Sequence, residues 1–219
     1  MNLNRKIIAV DGPSASGKGT VASRVAAALG FEYLDSGALY RLTALYAQLK
    51  NIEWDDEEGI AKLVQQLPAV FDGQKILLDG KDVSEAIRTE AIGMGASSVA
   101  RLPKVREALL QRQRDFLTEK GLVADGRDMG SVVFPDAVLK IFLTASAQIR
   151  AQRRAKQIGV QCEGVEFERI LSDIEARDEA DSRRAVAPLK QLPDALLLDT
   201  SEMNIEESVK KVLDWYAKI

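Results

Sequence analysis

The sequence predicts an α/β fold built on a five-stranded parallel sheet flanked by helices, and three observations carry that prediction. Five short apolar runs, at residues 7–10, 31–34, 122–124, 138–143 and 195–198, are mostly bounded by Gly, Asp or Pro. Runs of that length with such borders read as buried strands. Helical patterns separate them, and strands alternating with helices pack as a parallel sheet with helices on its faces. A glycine-rich turn also joins the first run directly to a helix-like stretch, Val21-Ala-Ser-Arg-Val-Ala-Ala-Ala-Leu29.

That turn is Gly12-Pro13-Ser14-Ala15-Ser16-Gly17-Lys18-Gly19-Thr20. Strand, glycine-rich turn, lysine and helix is the layout of a phosphate-binding loop. Glycines let the backbone curl so that successive N–H groups point at phosphate oxygens. The helix that follows adds its partially positive N-terminus, and Lys18 adds a point charge for the terminal phosphates. The usual pattern places Ser or Thr after the lysine, with its hydroxyl on Mg²⁺. Here Gly19 holds that place and Thr20 follows, so a metal would be held mainly by phosphate oxygens and water. Gly-Lys-Gly-Thr resembles nucleoside monophosphate kinases more than GTPase switches or motor ATPases.

The remaining elements follow in order. Gly30 is placed to cap the first helix. Ser36 is expected to cap a second helix running through Leu39, Leu42 and Tyr46. Residues 69–83 break the rhythm: Asp72-Gly73 and Asp79-Gly80 are turn signals between short β-prone runs, which predicts a small antiparallel meander. It belongs to an insert over 55–101, with the core formed by 1–54, 102–149 and 166–219. Pro103 starts a further helix, expected to end at Gly121. Residues 205–215 form a closing amphipathic helix. Gly159 and Gly164 frame a tip, residues 157–165, built as a closing lid would be; the lid is placed at 150–165.

Composition sets bounds. At 46% hydrophobic and 29% charged residues, a chain of 219 residues can build a proper core. A net charge of −3 gives no support for a nucleic-acid or membrane-surface partner. The chain has no histidine and one cysteine, Cys162. That excludes imidazole catalysis, histidine metal ligation, an internal disulfide and a cysteine zinc site. Phosphoryl transfer needs none of these, because it runs on positioning and charge neutralisation. The stretch after Arg5-Lys6 is broken by Asp11-Gly12-Pro13, too early for a signal peptide, so a cytoplasmic location is expected.

Three clusters outside the glycine-rich loop carry candidate chemistry. Asp35-Ser36-Gly37-Ala38-Leu39-Tyr40-Arg41 ends the second strand, where open α/β sheets bind ligands. Arg41 is one helical turn beyond Gly37, and reads either as an anion ligand or as a solvated arginine. Asp35 reads either as an organiser of Mg²⁺-bound water or as a helix cap; with Thr20 it is the candidate metal contact. Asp125-Gly126-Arg127-Asp128-Met129-Gly130 ends a buried strand, the usual place for the acidic partner of a phosphate loop. Arg150, Arg153 and Arg154 share one helical face, as do Arg177, Asp181 and Arg184. Such stripes are commonly solvated, but arginine suits planar phosphate recognition better than lysine.

Together, Gly-Pro-Ser-x-Ser-Gly-Lys-Gly-Thr, Leu-Asp-Ser-Gly-x-Leu-Tyr-Arg, Asp-Gly-Arg-Asp-Met-Gly and Arg-x-x-x-Asp-x-x-Arg-x-x-Ala-Pro-Leu resemble the bacterial cytidylate (CMP) kinases over nearly the whole chain. The resemblance implies a P-loop kinase core that phosphorylates CMP and dCMP with ATP and Mg²⁺, as a monomer. It implies that residues 12–20 and Arg150 bind ATP. Ser36, Arg41, Arg127 and Arg177 would hold the CMP phosphate. Ser97 (with Ser98 as the neighbouring choice), Arg106 and Asp128 would read the cytosine. Asp181 and Arg184 would approach sugar and phosphate, and Arg153 and Arg154 would reach the transferring group. Ala15, where relatives often carry glycine, is expected to leave the loop unimpaired. Alternatives are a UMP, AMP, shikimate or dephospho-CoA kinase, or a non-catalytic nucleotide switch. The meander and the Asp-Gly-Arg-Asp-Met-Gly motif count against the former, Gly19 against the latter.

Overall fold

A computed structural model describes residues 6–72 and 75–219. The chain falls into two compact units, one of residues 1–34 and 116–219, the other of residues 35–115. The second is wider on both sides than the 55–101 insert drawn from the sequence.

The sheet is the one the apolar runs predict. Strands β1 (Ile7–Asp11), β2 (Glu32–Asp35), β6 (Leu122–Gly126), β7 (Leu139–Thr144) and β8 (Leu196–Asp199) lie in the order β2-β6-β1-β7-β8. β1 pairs in parallel with β6, Asp11 opposite Gly126, and with β7, Asp11 opposite Phe142; β8 is parallel to β7. All five residues of β1 and of β6 are buried, which is why these central strands read as continuous apolar runs. Helix α1 (Lys18–Leu29) packs Val21, Ala22, Val25 and Ala26 onto Ile8, Val10, Val123 and Ile141, and α8 (Ile205–Tyr216) adds Val212. Gly30 caps α1 as expected, in the left-handed conformation. α8 begins with a capping box, Asn204 accepting from the Glu207 amide while Glu207 accepts from the Asn204 amide. Helices α6 (Ala147–Ile158) and α7 (Val165–Ser182) share a small core of Ala151, Ala155, Phe167 and Ile174. Val160 and Cys162 pack against that core, so the tip between Gly159 and Gly164 is partly anchored.

The other unit holds α2 (Ser36–Leu49), α3 (Glu57–Gln65), the meander, α4 (Glu90–Val99) and α5 (Pro103–Arg114). The meander is the expected antiparallel sheet of β3 (Ala69–Asp72), β4 (Lys75–Leu78) and β5 (Lys81–Asp82). The Asp79-Gly80 turn joins β4 to β5, while the predicted Asp72-Gly73 turn reaches outside the described residues.

Two boundaries differ from the sequence reading. Of the two residues the sequence offered as caps for α2, Asp35 serves, its Oδ1 accepting the Ala38 amide at 2.9 Å, and Ser36, expected in that place, is the first helical residue. An aspartate at the strand end reaches the free amide three residues on and competes successfully with the serine. Helix α5 ends at Arg114, short of Gly121. Gly121 instead leads into β6, its carbonyl accepting the Glu32 amide at 2.9 Å beside β2.

Candidate active site

The phosphate loop connects β1 to α1, and the structure shows why its glycines are glycines. A side chain at Gly12 would run into the Leu143 carbonyl at the end of β7. Gly17 adopts φ 86°, a left-handed turn into the helix. A side chain at Gly19 would meet the Tyr33 hydroxyl at 3.3 Å and Asp125 Oδ2 at 3.6 Å. Tyr33 donates to Asp125 Oδ1 at 2.9 Å, so the hydroxyl position of the commoner pattern faces an occupied tyrosine–aspartate pair. Ala15 has φ 56°, in the left-handed region where a Cβ is strained. Alanine there carries a local cost in stability, a matter separate from whether the loop is impaired.

The loop ends on a helix start built for an anion. Helix α1 has no side-chain cap and no acidic residue in its first turn. The first amides of a helix have no partner within the helix, and they carry its partial positive charge. Ser16 is buried, and its hydroxyl has no hydrogen-bond partner among the described residues. Half-buried Lys18 donates to the Pro13 carbonyl at 3.4 Å. Thr20 is exposed.

An arginine–aspartate network adjoins the loop. Arg127 Nε donates to Asp181 Oδ2 at 2.6 Å, and its Nη2 donates to Ser14 Oγ in the phosphate loop at 2.8 Å. Arg184 pairs with the other oxygen of Asp181. Helix α7 stops at Ser182, so Arg184 reaches Asp181 from the chain beyond the helix rather than from a shared helical face. Half-buried Arg177, on α7, makes no side-chain hydrogen bond or ion pair among the described residues.

Asp128 is buried and opens one wide helical turn, Met129–Val133, its carbonyl accepting the Val132 and Val133 amides. The anchor of that turn is a residue the sequence reading passed over. Asp11, the last residue of β1, accepts the Met129 and Gly130 amides, both at 2.8 Å. Burial pushes its carboxyl up from 3.8 to about 6; the two amides and Arg127 oppose that push, and Asp128 adds to it.

On α6, buried Arg150 donates to the Ser14 and Ala145 carbonyls and forms a two-pronged pair with Asp178 of α7. Arg153 donates to the Ser16 carbonyl and to both oxygens of Thr200. Burial lowers its pKa, and Asp199 opposes that. Among the described residues, Arg154 reaches only the side chain of Gln157, at 3.1 Å. Asp178 and Thr200, like Asp11, were not singled out from the sequence.

The other candidates lie in residues 35–115. Arg41 donates to the Ile87 carbonyl at 2.9 Å and to that of Thr89 at 3.4 Å, its guanidinium lying along Gly93 of α4. Ser97, half-buried, donates to the Gly93 carbonyl, whereas Ser98 is exposed. Arg106 is buried, donates to the Ala100 carbonyl and sits 5.9 Å from the centre of the Tyr40 ring. Ser36 is buried at the start of α2. No group of three or more acidic, histidine or cysteine side chains able to hold a metal occurs among the described residues. No helix among them is long and apolar enough to cross a membrane.

Comparison with known proteins places this geometry. The sequence profile described as cytidylate kinase matches residues 8–218. A cytidylate kinase of Neisseria gonorrhoeae (strain ATCC 700825 / FA 1090) is 76% identical over 218 residues, covering 99% of this chain and 100% of the relative. One from Chromobacterium violaceum is 59% identical over 210 residues, covering 96% and 95%. Among solved structures, an uncharacterized protein from Eubacterium ventriosum gives a TM-score of 0.53 at 11% identity, over 97% of this chain and 99% of that one, a likeness of fold alone.

Proposed function

This chain belongs to the cytidylate kinase family, and from that premise we propose that it transfers the γ-phosphoryl group of ATP to CMP and dCMP, giving CDP and dCDP. The observation that carries the reading is Arg127, which joins the Ser14 hydroxyl of the phosphate loop to Asp181. One guanidinium thereby links the donor-phosphate cradle to the residues assigned to the acceptor.

In the reaction, an oxygen of the CMP phosphate attacks the γ-phosphorus in line, a P–O bond forms, and the bond to the β-phosphate oxygen breaks to release ADP. No general base is needed, because a phosphate monoester with a second pKa of about 6 is largely ionised at neutral pH. Loop amides, the α1 N-terminus and Lys18 hold the ATP phosphates. Arg127, Arg177, Arg153 and Arg154 offset the charge that gathers on the transferring group. Ser36 and Arg41 bind the CMP phosphate, Ser97, Arg106 and Asp128 read the base, and Asp181 with Arg184 approaches the sugar.

Mg²⁺, when bound with ATP, supplies charge neutralisation across the phosphates. An ion held chiefly by phosphate oxygens and water asks little of the protein: Thr20 is exposed, and, taken separately, Asp35 has among the described residues only its helix-capping bond, through Oδ1. Those two residues are the proposed protein contacts.

The test is transfer of label. Incubated with γ-labelled ATP, Mg²⁺ and CMP, the protein should place the label on CDP. Release of labelled inorganic phosphate without labelled CDP would overturn the proposal.

A further inference from the structure

The outward face of the phosphate loop is held by two arginines of α6, and peptide geometry gives that a consequence. In a planar trans peptide the carbonyl of one residue and the amide N–H of the next point in opposite directions. A donor that fixes the Ser14 carbonyl therefore aims the Ala15 N–H the other way, and one on the Ser16 carbonyl aims the Gly17 N–H. Arg150 Nη1 is 3.2 Å from the Ser14 carbonyl oxygen, and Arg153 Nη1 is 3.2 Å from that of Ser16.

Arg150 is wholly committed to protein. It is 4% exposed. Its Nε donates to the Ala145 carbonyl at 2.9 Å, and its two terminal nitrogens meet Asp178 Oδ1 at 3.1 Å and Oδ2 at 2.6 Å. A two-pronged pair of this kind fixes the plane of the guanidinium as well as its place. Nearby Arg154 differs, bonding only the Gln157 side chain among the described residues.

We propose that Arg150, locked in plane by Asp178 of α7, is a positioning residue that turns the phosphate-loop amides toward the nucleotide, and is not itself a ligand of ATP. Helix α7 thereby contributes to donor binding without touching the donor. The inference rests on the reading of residues 12–20 as the ATP cradle.

Asp178→Asn and Arg150→Lys test it, with affinities for ATP, AMP and CMP measured separately by calorimetry on the full chain, alongside thermal unfolding. Both variants should weaken ATP by about tenfold, as expected for loss of one charge-assisted hydrogen-bonded pair. CMP affinity should stay within about twofold, since the same amides do not serve it. AMP, added as a nucleotide without the terminal phosphates, should lose less than ATP does. A nucleotide-ligand role for Arg150 predicts the opposite for Asp178→Asn: released from its carboxylate, the arginine would bind ATP as well as before or better. That result would overturn the proposal. So would ATP and CMP affinities falling together in step with the melting temperature, which marks a purely structural pair. Arg150→Met, uncharged and of similar length, takes the place of either variant that unfolds, and unchanged ATP affinity in any folded one of the three refutes the inference. Failure of the wild-type protein to bind ATP would instead strike at the cradle reading itself.

Discussion

Replacing Asp11 by asparagine should change the pH dependence of stability by an amount the structure allows to be worked out. The carboxyl is 8% exposed and accepts two amides, Met129 and Gly130. Burial raises its pKa from 3.8 to about 6 despite those bonds. A carboxyl with a folded pKa above its unfolded one holds its proton more tightly when folded. The stability it contributes is fully present below about pH 3.8 and is lost as pH rises to about 6. At about 1.4 kcal/mol per unit, the loss between pH 4 and pH 7 is roughly 2–3 kcal/mol. Asparagine has the same shape and no charge, so the variant lacks this slope. Urea titrations at pH 4, 5, 6 and 7 should show the variant gaining about 2–3 kcal/mol on the wild type across that range. A difference that stays flat with pH would refute the reasoning. Function should move the other way: the amide's NH₂ faces a backbone N–H, one anchor of the turn that Asp128 opens, directly after Arg127, is lost, and kcat/KM for CMP should fall by about tenfold at pH 7.5.

Other perturbations have sharper single outcomes. Lys18→Met should lower kcat by about a hundredfold or more while changing the unfolding free energy by less than about 1 kcal/mol; surviving activity in a standard ADP-release assay would remove Lys18 from its role. Asp181→Ala removes the carboxylate shared by Arg127 and Arg184, in a site where Asp181 is 10% exposed, and should cost about 3 kcal/mol of stability. It should also depress CMP and dCMP turnover far more than basal ATP hydrolysis, and equal losses in both would argue against a role on the monophosphate side. Ala15→Gly relieves a left-handed alanine at φ 56°, and should raise the unfolding free energy by roughly 0.5–1 kcal/mol after the greater freedom of glycine in the unfolded chain is set against it. An unchanged or lower midpoint in urea would show the loop to be unstrained.

Local signals account for what the sequence made legible. The strands β1 and β6 are buried on both faces and so announce themselves as apolar runs, and β7 alternates buried with partly buried residues. The glycine-rich loop and the glycine after α1 are readable because few residues accept those conformations. The residues missed are those whose partners lie far away in the chain. Asp11 reads as a turn former before Gly-Pro, yet its carboxylate serves amides at 129 and 130. Asp178 stands in an acidic stretch of α7 that looks like a solvated face, and only the fold brings it to Arg150. The placement of Arg184 failed for a related reason: helical spacing predicted a shared face, but the helix ends at Ser182 and the chain folds back, with the Leu189 amide on the Asp181 carbonyl. The cap of α2 was a competition between adjacent Asp35 and Ser36, both good caps, which composition alone does not resolve.

The most direct measurement is kcat/KM over a panel of CMP, dCMP, UMP, AMP, GMP and shikimate, each with ATP and Mg²⁺ in the same coupled assay. The account predicts that CMP and dCMP stand well above every other acceptor, with Asp181→Ala removing that advantage. Faster turnover of AMP or shikimate than of CMP would contradict it.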